Sequence, residues 1–145
     1  MIIGGHFSIE ELSNIIGIPW LLQQEIEALN SFDIGIMPMP DDAWTNGKCG
    51  FKAILYMGMA IPTVCSPVGV NKEIINDGVN GFFAQTEKDW VDRIALLIED
   101  PQLRERIGFT GRKTVEEKYS VKVNASKFLS VIQRVYDERY KHEKI

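Results

Sequence analysis

The chain has 145 residues, and its 16 lysines and arginines against 20 aspartates and glutamates give a formal net charge of −4. Hydrophobic residues make up 45% and charged residues 25%, the balance of an ordinary soluble globular domain, which excludes disorder and fibrous repeats. The acidic balance argues against nucleic-acid binding, because no stripe of basic residues offsets it.

The N-terminal part of the chain alternates short apolar runs with helical patterns. Residues 1–5 form an apolar run that predicts a buried strand, and residues 8–11 have the sequence of a capping box that opens a short helix. Residues 21–32 carry apolar positions at helical spacing, and residues 33–38 predict a strand covered on both faces. The Gly-bearing loop at 40–50 is longer than the usual strand-to-helix connection.

Strands and helices keep alternating as far as residue 84, and helices alone follow. We expect a helix over 51–59, a strand over 63–66, a short helix over 71–75 and a strand over 81–84. Three further helices begin at caps, and apolar stripes mark the first and last of them: caps at Thr86, Asp100 and Ser120; stripes of Trp90, Ile94, Leu97 and Ile98, and of Val121, Ala125, Phe128, Leu129, Ile132, Val135 and Tyr136. This order predicts one α/β domain over 1–145, with an open parallel sheet and a helical C-terminal run.

The loops at the carboxyl ends of the predicted strands are the place to expect a ligand. Two stand out, at 38–50 and 66–71, and the first runs through small residues directly into a helix whose free N–H groups attract anions. Lys48 and Lys52 lie at this helix start, where cations oppose the macrodipole by about 0.3–1 kcal/mol. A phosphate bound between the two lysines would explain their position; two solvated surface lysines are the alternative.

Other residues of these loops leave alternatives open. Asp41 and Asp42 have the chemistry of a cation site or of a solvated turn. Trp44 is placed either to stack on a base or sugar or to cover the loop. Residues 77–81 form a tight turn that needs positive φ at its glycines, so we expect a structural role for them.

The remaining tryptophans and the cysteines suggest no chemistry. Trp20 and Trp90 are interpreted as packing residues, Cys65 as a buried strand residue, and Cys49 as the more exposed thiol. Two cysteines are too few for a disulfide framework, and no His/Cys cluster has the spacing of metal ligands. Because the sequence has no signal peptide and no membrane span, we expect a soluble protein of a reducing compartment.

Four segments together resemble a known family: FDIGIMP at 32–38, GFKAILYM at 50–57, IPTVCSPVGVNKEI at 61–74 and DGVNGF at 77–82. They are similar to the C-terminal half of a GT-B glycosyltransferase, and most similar to the retaining family-four, or group 1, enzymes that build bacterial surface polysaccharides. The resemblance implies a Rossmann-like, three-layer α/β/α domain. It also implies that this domain holds a nucleotide-activated sugar for transfer to a glycan or lipid-linked acceptor, with retention and without a bound metal or other cofactor.

The resemblance assigns roles to individual residues. Gly50, Phe51 and Lys52 match the loop-to-helix start that faces the donor diphosphate in this family. Two family glutamates separated by seven residues contact the donor sugar and the ribose, and their positions fall on Gly47 and Leu55, which carry no side-chain acceptor. No catalytic residue is assigned and no metal ligand is expected. The implied donor-binding residues are Gly47, Lys48, Gly50, Phe51, Lys52 and Leu55.

These residues lead to two functional hypotheses. The first is the donor-binding half of a glycosyltransferase, inactive alone, with a nucleotide-sugar and an N-terminal GT-B domain as partners. The second is a non-catalytic binding or interaction module that kept the fold after losing the acids; a phosphate-binding domain of flavodoxin type is a third reading. We also expect a truncated domain with an exposed sheet edge for self-association. Its expected location is cytoplasmic, with contact to the inner membrane face only through the full-length enzyme.

Overall fold

The computed structural model describes residues 2–3, 15 and 17–140. In this part of the chain the strands are β1 (Ile2–Ile3), β2 (Gly17–Ile18), β3 (Gly35–Met37), β4 (Thr63–Cys65) and β5 (Phe82–Phe83). The helices are α1 (Glu25–Asn30, after a 3-10 turn at Leu22–Gln24), α2 (Ala43–Asn46), α3 (Phe51–Gly58), α4 (Asn71–Ile74), α5 (Glu87–Glu99), α6 (Pro101–Lys118) and α7 (Val121–Tyr140). None of these helices is long and apolar enough to cross a bilayer.

Three parallel strands form the main sheet, in the order β3–β4–β5. Gly35 pairs with Thr63 and Met37 with Cys65, which in turn pairs with Phe83. Helices link each strand to the next, α3 after β3 and α4 after β4, as parallel strands require. The predicted α/β fold with an open parallel sheet and a helical C-terminal run is confirmed.

A second, two-stranded parallel sheet pairs β1 with β2. The strand β1 lies within the predicted strand at 1–5, whereas β2 escapes sequence reasoning because two residues show no periodicity. The helix predicted to begin at the capping box of 8–11 lies outside the described residues. Among the described strands, β3 pairs on one side only, and Ile36 at this edge is 48% exposed; self-association there stays a prediction.

The core surrounds β4, whose three residues are all buried. Met57 of α3 packs in one cluster with Cys65. Val64, whose side chain points to the other face of the strand, packs with Leu97 of α5 and Ile107 of α6. Burial of a strand on both faces explains why its sequence is a continuous apolar run.

The two helices α5 and α6 begin at the predicted caps. The Thr86 hydroxyl accepts the backbone N–H of Asp89, and the Asp89 carboxylate accepts the N–H of Thr86. Asp100 accepts the N–H of Leu103, with Pro101 at the first helical position. These local contacts satisfy N–H groups that the helix itself leaves without acceptors.

The turn at 77–81 has the structural role that the sequence predicts. The Asp77 carboxylate accepts the backbone N–H of Phe83 at 2.8 Å, and Gly78 has a φ of +74°. Gly81 does not need positive φ, contrary to expectation. A Cβ at Gly81 would lie 3.0 Å from the carbonyl oxygen of Thr63, so close backbone packing is what requires glycine there.

Several predicted packing residues are exposed instead. Trp90 packs partly buried against the second core cluster, as expected, but Ile98 of the same helix is 61% exposed. Trp20 is 51% exposed, and its indole N–H donates to the Glu25 carboxylate at 3.0 Å. The stripe of α7 is exposed along its length, with Phe128 at 67%. Helical spacing marks an apolar face, but it does not supply the element that covers it.

Candidate functional site

The N-terminus of α3 has no side-chain cap. Its N-cap residue is Gly50, with a φ of +66°, and no side chain accepts the N–H groups of the first turn. Both α5 and α6, by contrast, are capped by a Thr or Asp oxygen. Because the first N–H groups of a helix have no intrahelical acceptor, the start of α3 is left as an electropositive set of donors.

Gly50 is also the point where the two ligand-facing loops meet. A Cβ at this position would lie 2.5 Å from Ile74 Cδ1 and 3.1 Å from Asn71 Oδ1, both on α4. The buried Asn71 amide donates from Nδ2 to the carbonyl oxygen of Ser66 at 3.0 Å, while its Oδ1 has no partner. The start of α4 is thus packed directly against the start of α3, and only glycine fits between them.

The long loop before α3 contains the helix α2, which the sequence does not predict. The Asp42 carboxylate accepts the backbone N–H of Thr45 at 2.7 Å, and the Thr45 hydroxyl accepts the N–H of Asp42. The buried Thr45 hydroxyl also reaches the carbonyl oxygen of Pro40. Hydrogen bonds from the Thr45 backbone and then from its side chain hold the pKa of Asp42 below its ordinary value. One carboxylate of the predicted acidic pair is therefore a helix cap.

Asn46 joins this loop to the loop before α4. Its Oδ1 accepts the backbone N–H of Gly69 at 3.0 Å. Its Nδ2 donates to Asp41 Oδ1 at 2.7 Å and to the carbonyl oxygen of Asp42 at 2.9 Å. Both aspartates of the pair are thus engaged within the loop. No cluster of three His, Cys, Asp or Glu side chains suited to a metal ion occurs in the part of the chain that the structure describes.

The six residues predicted to bind the donor lie between the end of α2 and the second turn of α3. Gly47 ends α2 with a φ of −82°, an ordinary value for any residue. Lys48 and Lys52 are exposed, as is Phe51, whereas Gly50 is buried. The last of the six lies on the second turn of α3 and is half-buried: Leu55.

The two lysines supply the positive charge of this region. Neither Lys48 nor Lys52 forms an ion pair with any described carboxylate, and the first turn of α3 contains no acidic residue. Lys48 contributes to the lowered pKa of Asp42, although less than the hydrogen bonds from Thr45 do. Trp44, 79% exposed, does not cover the loop. Among the two readings of Trp44, the structure leaves its ring free to stack on a ligand.

Two cavities lie near the loops, and none of the six predicted residues lines either of them. One, of about 170 Å³, sits at the carboxyl ends of the strands, and its lining is Met39, Pro40, Asp41, Ser66, Pro67, Val68 and Gln85. The other, of about 360 Å³, lies between α4, the following turn and α6. The predicted residues therefore form an open surface rather than an enclosed pocket.

Three residues of the site escape prediction from the sequence. Asn46, Gly69 and Asn71 connect the two loops through contacts between segments 20 or more residues apart along the chain. The only local signal is the position of Gly69 in a loop at the end of a strand. Gly69 has a φ of +51°, and a Cβ there would lie only 2.9 Å from the Asn46 carbonyl oxygen, so the position requires glycine.

Known proteins share both the sequence pattern and the fold. The family model described as glycosyl transferases group 1 matches residues 8–114. An uncharacterized glycosyltransferase of Methanocaldococcus jannaschii is 31% identical over 93 residues, which are 61% of this chain and 25% of that protein. This chain therefore spans about a quarter of the length of that curated relative.

Two solved structures have a similar fold. The C-terminal domain of a glycosyl transferase group 1 family protein (LpcC) from Francisella tularensis matches with a TM-score of 0.61 and 24% identity, covering 72% of this chain and 53% of that one. HepE from Anabaena, solved in complex with UDP, matches with a TM-score of 0.64 and 16% identity, covering 81% and 32%. The fold is that of the C-terminal domain of GT-B enzymes. Since the family model covers most of the chain, this protein belongs to the group 1 glycosyl transferases.

Proposed function

We propose that this chain is the donor-binding part of a glycosyltransferase and holds the diphosphate of a nucleotide-activated sugar at the start of α3. The observation that carries the proposal is the uncapped N-terminus of α3, with Lys52 in its first turn and no carboxylate beside it. Backbone N–H groups at a helix start, helped by a nearby lysine, are well suited to phosphate oxygens. The complex of the structural neighbour HepE with UDP supports the same ligand class.

The reaction that we propose for the complete enzyme follows from the family. The sugar is transferred to a glycan or lipid-linked acceptor with retention of configuration and without a bound metal, and the acceptor is held by an N-terminal GT-B domain. In this chain the diphosphate is the leaving group's charge-bearing part, and the N–H groups of α3 stabilise the charge that develops on it. We assign no residue of this chain to acid–base or nucleophilic catalysis.

Titration of the isotope-labelled protein with nucleotides tests the donor proposal. We expect UDP, GDP or both to shift the backbone amide signals of residues 47–55 more than those of α5. Lys52→Ala should weaken this binding by about tenfold, since it removes a charge-assisted contact. Lys122→Ala, which removes an exposed lysine of α7, is the matched control and should leave binding unchanged. A panel of UDP, GDP and CMP that shifts no amide in 47–55 would contradict the proposal.

A non-catalytic binding module remains the second candidate, and Gly47 and Leu55 favour it. The backbone does not require glycine at position 47, because a Cβ on Gly47 would meet only ordinary contacts with Trp44 and Ala43. The chain thus lacks a carboxylate at both positions where the resemblance implies one, although a side chain has room to start at position 47. A protein that binds UDP or pyrophosphate but gains no transferase activity when combined with an N-terminal GT-B domain would support the module.

A further inference from the structure

Asn46 uses its whole amide group in three hydrogen bonds that join the two loops of the candidate site. Oδ1 accepts the N–H of Gly69 at 3.0 Å, and Nδ2 donates to Asp41 Oδ1 at 2.7 Å and to the Asp42 carbonyl oxygen at 2.9 Å. The partners fix the orientation of the amide, because one side faces a donor and the other faces two acceptors. The side chain cannot be turned over without losing all three hydrogen bonds.

The backbones of the two loops touch at the same point. A Cβ on Gly69 would lie 2.9 Å from the Asn46 carbonyl oxygen and 3.1 Å from its Cα. Gly69 also has a φ of +51°, which a side chain would strain. The contact is therefore short and specific, and it fixes the end of α2 against the segment that leads into Asn71 and its contact with Gly50.

Asn46 thus lies between the two segments that set the geometry of the N–H groups and of the lysine proposed to bind the diphosphate. On one side, α2 continues through Lys48, whose backbone N–H donates to the carbonyl oxygen of Thr45, into the start of α3. On the other side, Gly69 leads to α4, which packs on Gly50. If the two loops separated, Lys48 and the N–H groups of α3 would no longer keep one fixed geometry.

We propose that Asn46 is a positioning residue of the donor site, and that Asp41 orients it. The inference rests on the proposed function, and it adds a residue outside the segment that the family resemblance assigns. The proposed role is indirect, because the Asn46 amide is already engaged by Gly69, Asp41 and Asp42. It acts by holding the loop before α3 and the loop before α4 together, so that the anion meets preorganised donors.

The hydrogen-bond pattern allows a test by exchange of donor and acceptor. Asn46→Asp keeps an oxygen for Gly69 but sets a second carboxylate against Asp41, so UDP affinity should fall about five- to tenfold. Asp41→Asn alone keeps an acceptor for the Asn46 amide and should bind UDP like the wild type. In the double variant Asp41→Asn/Asn46→Asp the new amide at 41 donates to the new carboxylate at 46. This variant should recover most of the lost affinity.

A matched control separates positioning from general stability. Asn124 donates from Nδ2 to the carbonyl oxygens of Lys118 and Ser120 at the start of α7. Asn124→Asp therefore also removes two hydrogen bonds by the same chemical change, but far along the chain from the donor loops. We expect it to lower the thermal midpoint without changing UDP affinity, whereas Asn46→Asp changes both.

The measurements are calorimetric titration of the full chain with UDP and with pyrophosphate, and hydrogen exchange of the Gly69 amide. Support requires weaker binding by Asn46→Asp, recovery in the double variant, and faster exchange at Gly69 in the single variant only. Unchanged UDP affinity in Asn46→Asp, with a wild type that binds UDP, would overturn the role of Asn46 alone. A wild type that binds neither UDP nor pyrophosphate would overturn the proposed function and this role together.

Discussion

Leu55 occupies the position where the family resemblance implies a glutamate that contacts the ribose. It lies half-buried on the second turn of α3, one turn beyond Phe51 and on the same side of the helix. A leucine offers apolar contact but accepts no hydrogen bond from a hydroxyl group. Hydrogen bonds to the ribose of a bound nucleotide must therefore come from other groups. The affinity of this chain for a nucleotide should depend mainly on the diphosphate.

Leu55→Glu should provide a hydrogen-bond acceptor for the ribose. A carboxylate accepting two ribose hydroxyls makes charged hydrogen bonds worth about 1.5–3 kcal/mol, so we expect UDP affinity to rise by about tenfold or more. Pyrophosphate, which has no ribose, should bind no more tightly, since the added charge repels it. Calorimetric titration with both ligands checks the prediction, with Leu55→Met as the control for side-chain volume. Equal changes for UDP and pyrophosphate would show that position 55 does not face the ribose.

The two cysteines differ in burial, and this difference predicts their reactivity. Cys65 is fully buried in β4, and burial, with a smaller effect from Asp77, raises the pKa of its thiol to about 12. Cys49 is exposed in the loop before α3. Since the thiolate is the reactive form, iodoacetamide at pH 8 should modify one thiol rapidly, and peptide mass spectrometry should locate it at Cys49. Rapid modification of Cys65 in the folded Cys49→Ser variant would contradict this.

At the scale of elements, the C-terminal helices show that an apolar stripe and a buried stripe are different things. Leu97 of α5 is fully buried, whereas Phe128 of α7 is 67% exposed. Leu97→Ala should lower the free energy of unfolding by about 2–5 kcal/mol, because it leaves a cavity in a packed core. Phe128→Ala should lower it by less than about 1 kcal/mol, because little surface is buried there.

Urea unfolding of the two variants, at a protein concentration where sedimentation shows a monomer, measures both effects. Ile107→Val offers a milder control in the same core cluster as Leu97 and should cost about 0.5–1.5 kcal/mol. If Phe128→Ala lowered the free energy of unfolding as much as Leu97→Ala, the apolar stripe of α7 would have to be covered in solution.

The sequence predicts those elements whose cause is local. Thr86 and Asp100 start α5 and α6 because their side chains accept the N–H groups three residues further along the chain. Both partners of each hydrogen bond are therefore close together in the sequence. The helix α2 is missed because it rests on the Asp42–Thr45 contact without an apolar period. The contact of Asn46 with Gly69 joins residues 23 positions apart, and only the assembled sheet brings them together.

For the site, the sequence locates the loop and its charges but not what holds the loop in place. Lys48 and Lys52 stand out because cations at a helix start oppose the macrodipole. The exposure of Ile98 and of the α7 stripe shows that the sequence does not predict burial in the same way. Periodicity describes a single helix, whereas burial depends on the elements packed against it.

At the scale of the whole molecule, acid stability should depend on the carboxylates that accept backbone N–H groups at helix starts. Hydrogen bonds from Thr45 lower the pKa of Asp42, and hydrogen bonds from Thr86 lower that of Asp89, each relative to the ordinary value of 3.8. A carboxyl whose pKa is lower in the folded protein contributes stability that is fully present above pH 3.8. That contribution is lost as the pH falls through the folded pKa.

We therefore expect the urea midpoint to fall as the pH is lowered below 3.8, and to fall less in the double variant Asp42→Asn/Asp89→Asn. The amide oxygen of Asn still accepts the capping hydrogen bonds but does not titrate. Glu117→Gln, which changes an exposed carboxyl paired only with Lys113 at 3.8 Å, is the control and should keep the wild-type slope. A slope in the double variant equal to that of the wild type would mean that other carboxyls govern acid unfolding. Asp42 fixes the start of α2 in the loop before α3, and Asp89 fixes the start of α5, which packs against the core. Protonation of these two carboxylates should therefore loosen the site and the fold together.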